Sequence, residues 1–150
     1  MNSKANRSTI ALSGGFDPPT AGHVAMILDA SKFADVTIIL NSDEWCAKKR
    51  WTGKNFIKWQ RRADILKEIP GVVDVVGVDD SDGSVCEALE RLNPDFFGNG
   101  GNRTVENTPE VQLCKQLGIG TVWFLGSVTS QEAVDILNTA IQIASQEETK

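Results

Sequence analysis

The sequence predicts an α/β fold, a doubly wound parallel sheet of five strands in the order 3-2-1-4-5 with helices on both faces. Two observations predict it. Short apolar runs alternate with helical patterns along the chain, as a parallel sheet joined by crossover helices requires. The make-up also suits one core, since 150 residues that are 41% apolar and 23% charged are ordinary for a single compact domain over residues 1–150. Right-handed crossovers then set the strand order and put ligands at the carboxyl ends of the strands, near strand 1.

Residues 8–13 (STIALS) read as a short buried strand, and Val24-Ala25-Met26-Ile27-Leu28 begins the first helical pattern. Residues 35–40 (DVTIIL) are the second strand, followed by a polar, basic segment over 41–58. The helix over 59–69 carries Ile65, Leu66 and Ile69 on one face and stops at Pro70-Gly71. Residues 72–78 (VVDVVGV) are the third strand, 83–92 the next helix, and Pro94-Asp95-Phe96-Phe97 opens a short fourth strand. Thr108 is expected to cap a helix that has Pro109 at its first position and ends at Gly118. Residues 121–125 (TVWFL) are the fifth strand, and 129 to about 145 the last helix. The first six and last six residues read as loose tails, and no second domain, repeat or low-complexity tract interrupts this Rossmann-like series.

A net charge of −5 argues against nucleic-acid binding through a broad basic surface. Cys46, Cys86 and Cys114 are widely separated, with no Cys-x-x-Cys pair and no second histidine to complete a zinc site. They read as reduced, mostly buried thiols, and no protein-held metal is expected. No segment approaches the roughly 20 apolar residues of a membrane span, and Met-Asn-Ser-Lys opens without an apolar stretch behind it. A cytoplasmic protein without membrane partners is the expectation.

Chemistry is expected just after the strands, and four segments answer to that. The first is Gly14-Gly15-Phe16-Asp17-Pro18-Pro19-Thr20-Ala21-Gly22-His23, which delivers the only histidine to a helix start. Unpaired N–H groups and the macrodipole at a helix N-terminus favour a bound anion, and an imidazole held there can donate to phosphate oxygens. Capping by His23 and simple turn formation by the glycines are the plainer uses of the same residues. The second segment is Asn41-Ser42-Asp43-Glu44-Trp45 with Lys48-Lys49-Arg50, the third runs over 98–104, and the fourth over 126–130.

The complete first string resembles the signature of the nucleotidyltransferase superfamily, Gly-x-Phe-Asp followed by (His/Thr)-x-Gly-His. Thr20 in place of the first histidine is similar to pantetheine-phosphate adenylyltransferases. Asn41-Ser42-Asp43, the basic cluster, Arg62 with Ile65-Leu66, Val73-Asp74-Val75-Val76, Asn93-Pro94-Asp95 and Gly100-Gly101-Asn102-Arg103 resemble the cytidylyltransferase-like branch. The nearest patterns there are domains that make nucleotide-activated heptose and the glycerol-3-phosphate cytidylyltransferases.

The resemblance implies roles residue by residue. His23 contacts the nucleotide phosphates at the transition state, with Thr20 beside it, and Lys48 or Lys49 reaches the phosphates of both substrates. Gly14, Gly15, Phe16, Asp17 and Gly22 belong to the nucleotide-binding turn, where Asp17 either forms the turn or orders the phosphate loop. Gly101, Asn102 and Arg103 approach the base and ribose, unless the segment is merely a turn. Thr129 and Ser130 match a Ser/Thr signature at the last helix, and Thr129-x-x-Glu132 also fits a capping box. Asp43 and Lys54 are candidates for the acceptor, and Arg62 either binds substrate or pairs with a carboxylate. Trp51 either packs or stacks on a substrate.

The reaction expected is transfer of a nucleoside monophosphate from ATP or CTP to a small sugar phosphate or polyol phosphate, releasing pyrophosphate. Mg²⁺ would come with the nucleotide. A pantetheine-phosphate adenylyltransferase-like enzyme and a non-catalytic nucleotide-binding module of the same fold are the alternatives. A dinucleotide-dependent oxidoreductase would need Gly-x-Gly-x-x-Gly after strand 1, which is absent here. Related enzymes are often dimers or larger, so the resemblance implies self-association.

Overall fold

The computed structural model describes residues 7–100, 108–126 and 130–148. Its elements are β1 (Ser8–Gly14), α1 (Ala21–Ser31), β2 (Ala34–Leu40), α2 (Asp43–Lys48), α3 (Trp59–Lys67), β3 (Val72–Val76), α4 (Cys86–Leu92), β4 (Phe96–Gly100), α5 (Glu110–Leu117), β5 (Gly120–Leu125) and α6 (Gln131–Glu148). The strands form one sheet in the order β3-β2-β1-β4-β5. Every pairing is parallel, with β1 central and hydrogen-bonded to β2 and β4. This is the Rossmann-like α/β order that the alternation of apolar runs predicts.

Alternate residues of the central strands feed two cores, because successive side chains of a strand point to opposite faces. Ile10 and Leu12 of β1 with Val36, Ile38 and Leu40 of β2 pack on α1, α3 and α6. Ala11, Ile39 and Phe97 pack on the other face with Val85, Ala88, Leu89 and Cys114. Two faces covered by helices leave the ends of the strands as the openings of the fold. The carboxyl ends carry the long connections that build the site.

Several boundaries differ from the sequence expectation. The basic segment after β2 contains α2, whose first turn is capped by Ser42 Oγ accepting from Trp45 N–H at 3.1 Å. β3 stops at Val76, two residues short of the expected end, and α4 starts at Cys86 instead of at 83. Pro109 has helical φ and ψ of −63° and −21° but occupies the N-cap position itself, with Glu110 as first residue of α5. Gly118 ends α5 in the left-handed region, φ 72°, as expected of a glycine cap. The cap on α6 falls on Ser130, whose Oγ accepts from Ala133 N–H at 3.2 Å. Thr129, expected to provide a capping box there, lies outside the described residues.

Gly126, just after β5, shows why a glycine is needed at that turn. Its φ is +68°, and a Cβ there would stand 2.5 Å from the Met26 backbone nitrogen of α1. The same residue donates its N–H to Asp29 Oδ2 of α1 at 2.7 Å. The turn after β5 is thereby pinned to the first helix.

Candidate functional site

The turn between β1 and α1 is closed by a reciprocal cap. Thr20 Oγ1 accepts from His23 N–H at 3.2 Å, and His23 Nδ1 accepts from Thr20 N–H at 3.0 Å. The capping box thus uses an imidazole where a Glu or Gln is usual. A nitrogen that accepts carries no proton, so the neutral ring holds its hydrogen on Nε2 and presents that N–H as a donor. Burial pushes the imidazole below its ordinary value, which favours this neutral form. The Phe16 ring meets His23 edge-on at 4.6 Å between centroids and fixes its plane. Phe16 itself is buried in the core with a φ of 48°, and its ring packs against the imidazole. Gly22 sits in the first turn of α1.

The segment after β2 is tied to this turn by buried charge. Arg62 of α3 is 0% exposed, and its guanidinium donates to the carbonyls of Gly15, Asn41 and Ile57 and to Asp43 Oδ1, the last at 2.6 Å. Four of its N–H donors are committed to protein acceptors, among them the carboxylate of Asp43, and they tie α3 to the ends of β1 and β2. Asp43 is likewise engaged, by Arg62 and by Asn55 Nδ2 at 3.0 Å. Asp17 accepts from the backbone N–H groups of Phe56 and Ile57 and pairs with Arg50 Nε at 3.4 Å. Its role is to order the turn and dock the loop between α2 and α3. Gly15 makes room for α2, since a Cβ would lie 3.0 Å from Cys46 Sγ and 3.2 Å from the Trp45 ring.

Asp80 is a residue of the candidate site that sequence reading missed. It is buried after β3, accepting from Asn41 Nδ2 at 2.9 Å, Ser42 N at 2.8 Å and Ser42 Oγ at 2.7 Å. The only signal was an acidic turn, Asp79 to Asp82, following a strand. That position relative to the sheet was enough to suspect it.

Three cavities open among these elements. One of about 560 Å³ lies between α2 and the turn after β3, lined by Ser42, Trp45, Lys48, Lys49 and Asp80 among others. One of about 230 Å³ lies over Gly15, Asp17 and Arg50. One of about 250 Å³ lies over the ends of β1 and β2, lined by Gly14, Asn41, Lys49 and Glu110 among others. Trp45 and Lys49 line all three, whereas Lys48 lines only the first. Lys49 Nζ rests 4.9 Å from the Trp45 ring centroid, a cation–π contact that holds the charge at the junction. Lys54 is exposed in the loop beyond and lines none of the three. His23 and Thr20 line none of them either. Gly101, Asn102 and Arg103 lie outside the described residues. Trp51 is 97% exposed and packs on nothing that would make it core.

Topology and turn together define the class: a doubly wound α/β domain whose ligand end is the carboxyl edge of its central strands. The chain belongs to the cytidylyltransferase-like family of nucleotidyltransferases, whose family model matches residues 11–125. The match runs from the middle of β1 to the end of β5 and takes in the whole sheet except β1's first residues. The lipopolysaccharide core biosynthesis protein from Thermoplasma volcanium GSS1 has a similar solved structure, with a TM-score of 0.62 and 16% identity over 78% of this chain and 95% of that one. That likeness is one of fold. A search of curated proteins returned no match. Among the described residues no helix is long and apolar enough to cross a membrane.

Proposed function

We propose that the protein transfers a nucleoside monophosphate from ATP or CTP to a small phosphorylated acceptor, a sugar phosphate or polyol phosphate. The observation that carries the reading is the His23 ring, locked through Nδ1 so that Nε2–H is a fixed donor at the N-terminus of α1. An acceptor phosphate oxygen, already ionised at neutral pH, attacks the α-phosphorus. One P–O bond forms, the bond to the β-phosphate oxygen breaks, and pyrophosphate leaves with that electron pair. No general base is required.

His23 Nε2–H donates to a phosphate oxygen as charge develops there, and the N-terminal amides of α1 add their partial positive charge. Lys49 brings a compact cation to the junction of the three cavities and is favoured over Lys48 for the phosphates on that ground. Thr20 acts through His23 by holding its orientation. Among the described residues no cluster of three or more His, Cys, Asp or Glu side chains could hold a metal. Mg²⁺ is assigned here to the triphosphate, whose oxygens are its natural ligands. When bound, that ion neutralises phosphate charge. Ser130 stands at the start of α6 with its hydroxyl used as a cap; Thr129, Gly101, Asn102 and Arg103 are proposed contacts by family resemblance. The resemblance likewise supports self-association.

The test is Mg²⁺-dependent pyrophosphate release with ATP, CTP, GTP and UTP against sugar, polyol and pantetheine phosphates. Acceptor-dependent release with a sugar or polyol phosphate is expected. Release only with pantetheine phosphate would replace the acceptor class, and nucleotide binding without release would mark a binding module.

A further inference from the structure

Glu110 is a charged side chain that the proposed chemistry does not use. It is the first residue of α5, is 3% exposed, and lines the 250 Å³ cavity that Lys49 also lines. Its Oε2 accepts from Val85 N–H at 2.9 Å. Its Oε1 is buried and accepts nothing. A buried acceptor without a donor is costly, so such an atom is expected to meet one when the cavity fills.

The two charged residues at this cavity divide it chemically. Lys49 suits a phosphate, whereas the Glu110 carboxyl oxygen left without a partner suits a hydroxyl donor. The volume is just below the usual range for whole small-molecule pockets, so it suits a short polar chain better than an entire nucleotide. We infer that Glu110 is the specificity residue for the acceptor, taking a hydroxyl of a polyhydroxylated phosphate on Oε1 while Lys49 takes the phosphate. The inference rests on the nucleotidyltransferase reading for the identity of the ligand as acceptor.

Calorimetric binding tests it apart from turnover. Glycerol 3-phosphate and a hexose 1-phosphate are compared with propyl phosphate, which keeps the charge and lacks the hydroxyls. At least one polyol ligand should bind wild-type protein about tenfold or more tightly than propyl phosphate. Glu110→Gln keeps the shape and a Val85 partner but turns a donor towards the ligand. That variant should lose the preference and bind propyl phosphate within about twofold of wild type. The wild-type comparison stands even if the variant fails to fold. No preference in wild type, equal losses for all three ligands, or weakening of ATP or CTP instead would overturn the assignment. Pyrophosphate release measured with the same acceptors keeps the two readings separable: release without a Glu110 effect sinks only this one, and a Glu110 effect without release sinks only the transfer reaction.

Discussion

The turn after β1 and the segment after β2 pack against each other, yet they are held in opposite ways. The first is closed by residues three apart in the chain, Thr20 and His23. The second is held from a distance: Arg62 reaches back to Gly15 and Asn41, Asp17 reaches forward to Phe56 and Ile57, and Asp80 receives Asn41 and Ser42. A local cap orients the proposed donor independently of the rest of the site. A long-range scaffold fixes the cleft walls and should reveal itself as stability.

That contrast breaks most visibly at His23. Replacing it with Ala should lower kcat by roughly 10²- to 10³-fold, the scale of a lost transition-state donor, and remove one cap hydrogen bond. Pyrophosphate release and a thermal melt read the two losses separately. Arg62→Met should do the reverse, costing about 3 kcal/mol in urea unfolding, because three carbonyls lose a buried donor and Asp43 its ion-pair partner.

The lysines sharpen the comparison further. Lys49→Ala should reduce kcat/KM about tenfold or more, and Lys48→Ala less than about threefold, as charge-assisted contacts to phosphate would predict. Their kinetics against a common acceptor decide between them. The pH dependence is smaller. His23 has a depressed value when folded, so the unfolded chain binds the proton more readily and stability rises with pH. The contribution is complete above about pH 6.5 and is lost as pH falls below it, by up to about 1 kcal/mol over the next pH unit. Because His23 is the only histidine, urea midpoints of wild type and His23→Gln at pH 7.5 and 5.5 isolate it. Trp51→Ala should stay within about 0.5 kcal/mol of wild-type stability, since the ring is almost wholly exposed.

The same contrast explains what was legible in the chain. Apolar alternation, the glycine at 118 and the turn ending in His23 are local patterns, and the sheet order and the start of α1 follow from them. Ser42 as a cap was equally local, but the basic run after it masked α2, which is only six residues long. Arg62 could be read two ways because its partners at Gly15, Asn41 and Asp43 are brought to it only by folding. Glu110 carried no signal of its own in the chain for the same reason, since Val85 and the cavity reach it through the packing of α4 beside α5.

His23→Gln separates donor from cap most directly, because Gln at this position can accept from Thr20 N–H and restore the usual capping box. The decisive measurement is acceptor-dependent pyrophosphate release by this variant beside wild type. The account predicts a melting temperature close to wild type with release reduced roughly 10²- to 10³-fold. Release at the wild-type rate would contradict it and leave His23 as a helix cap alone.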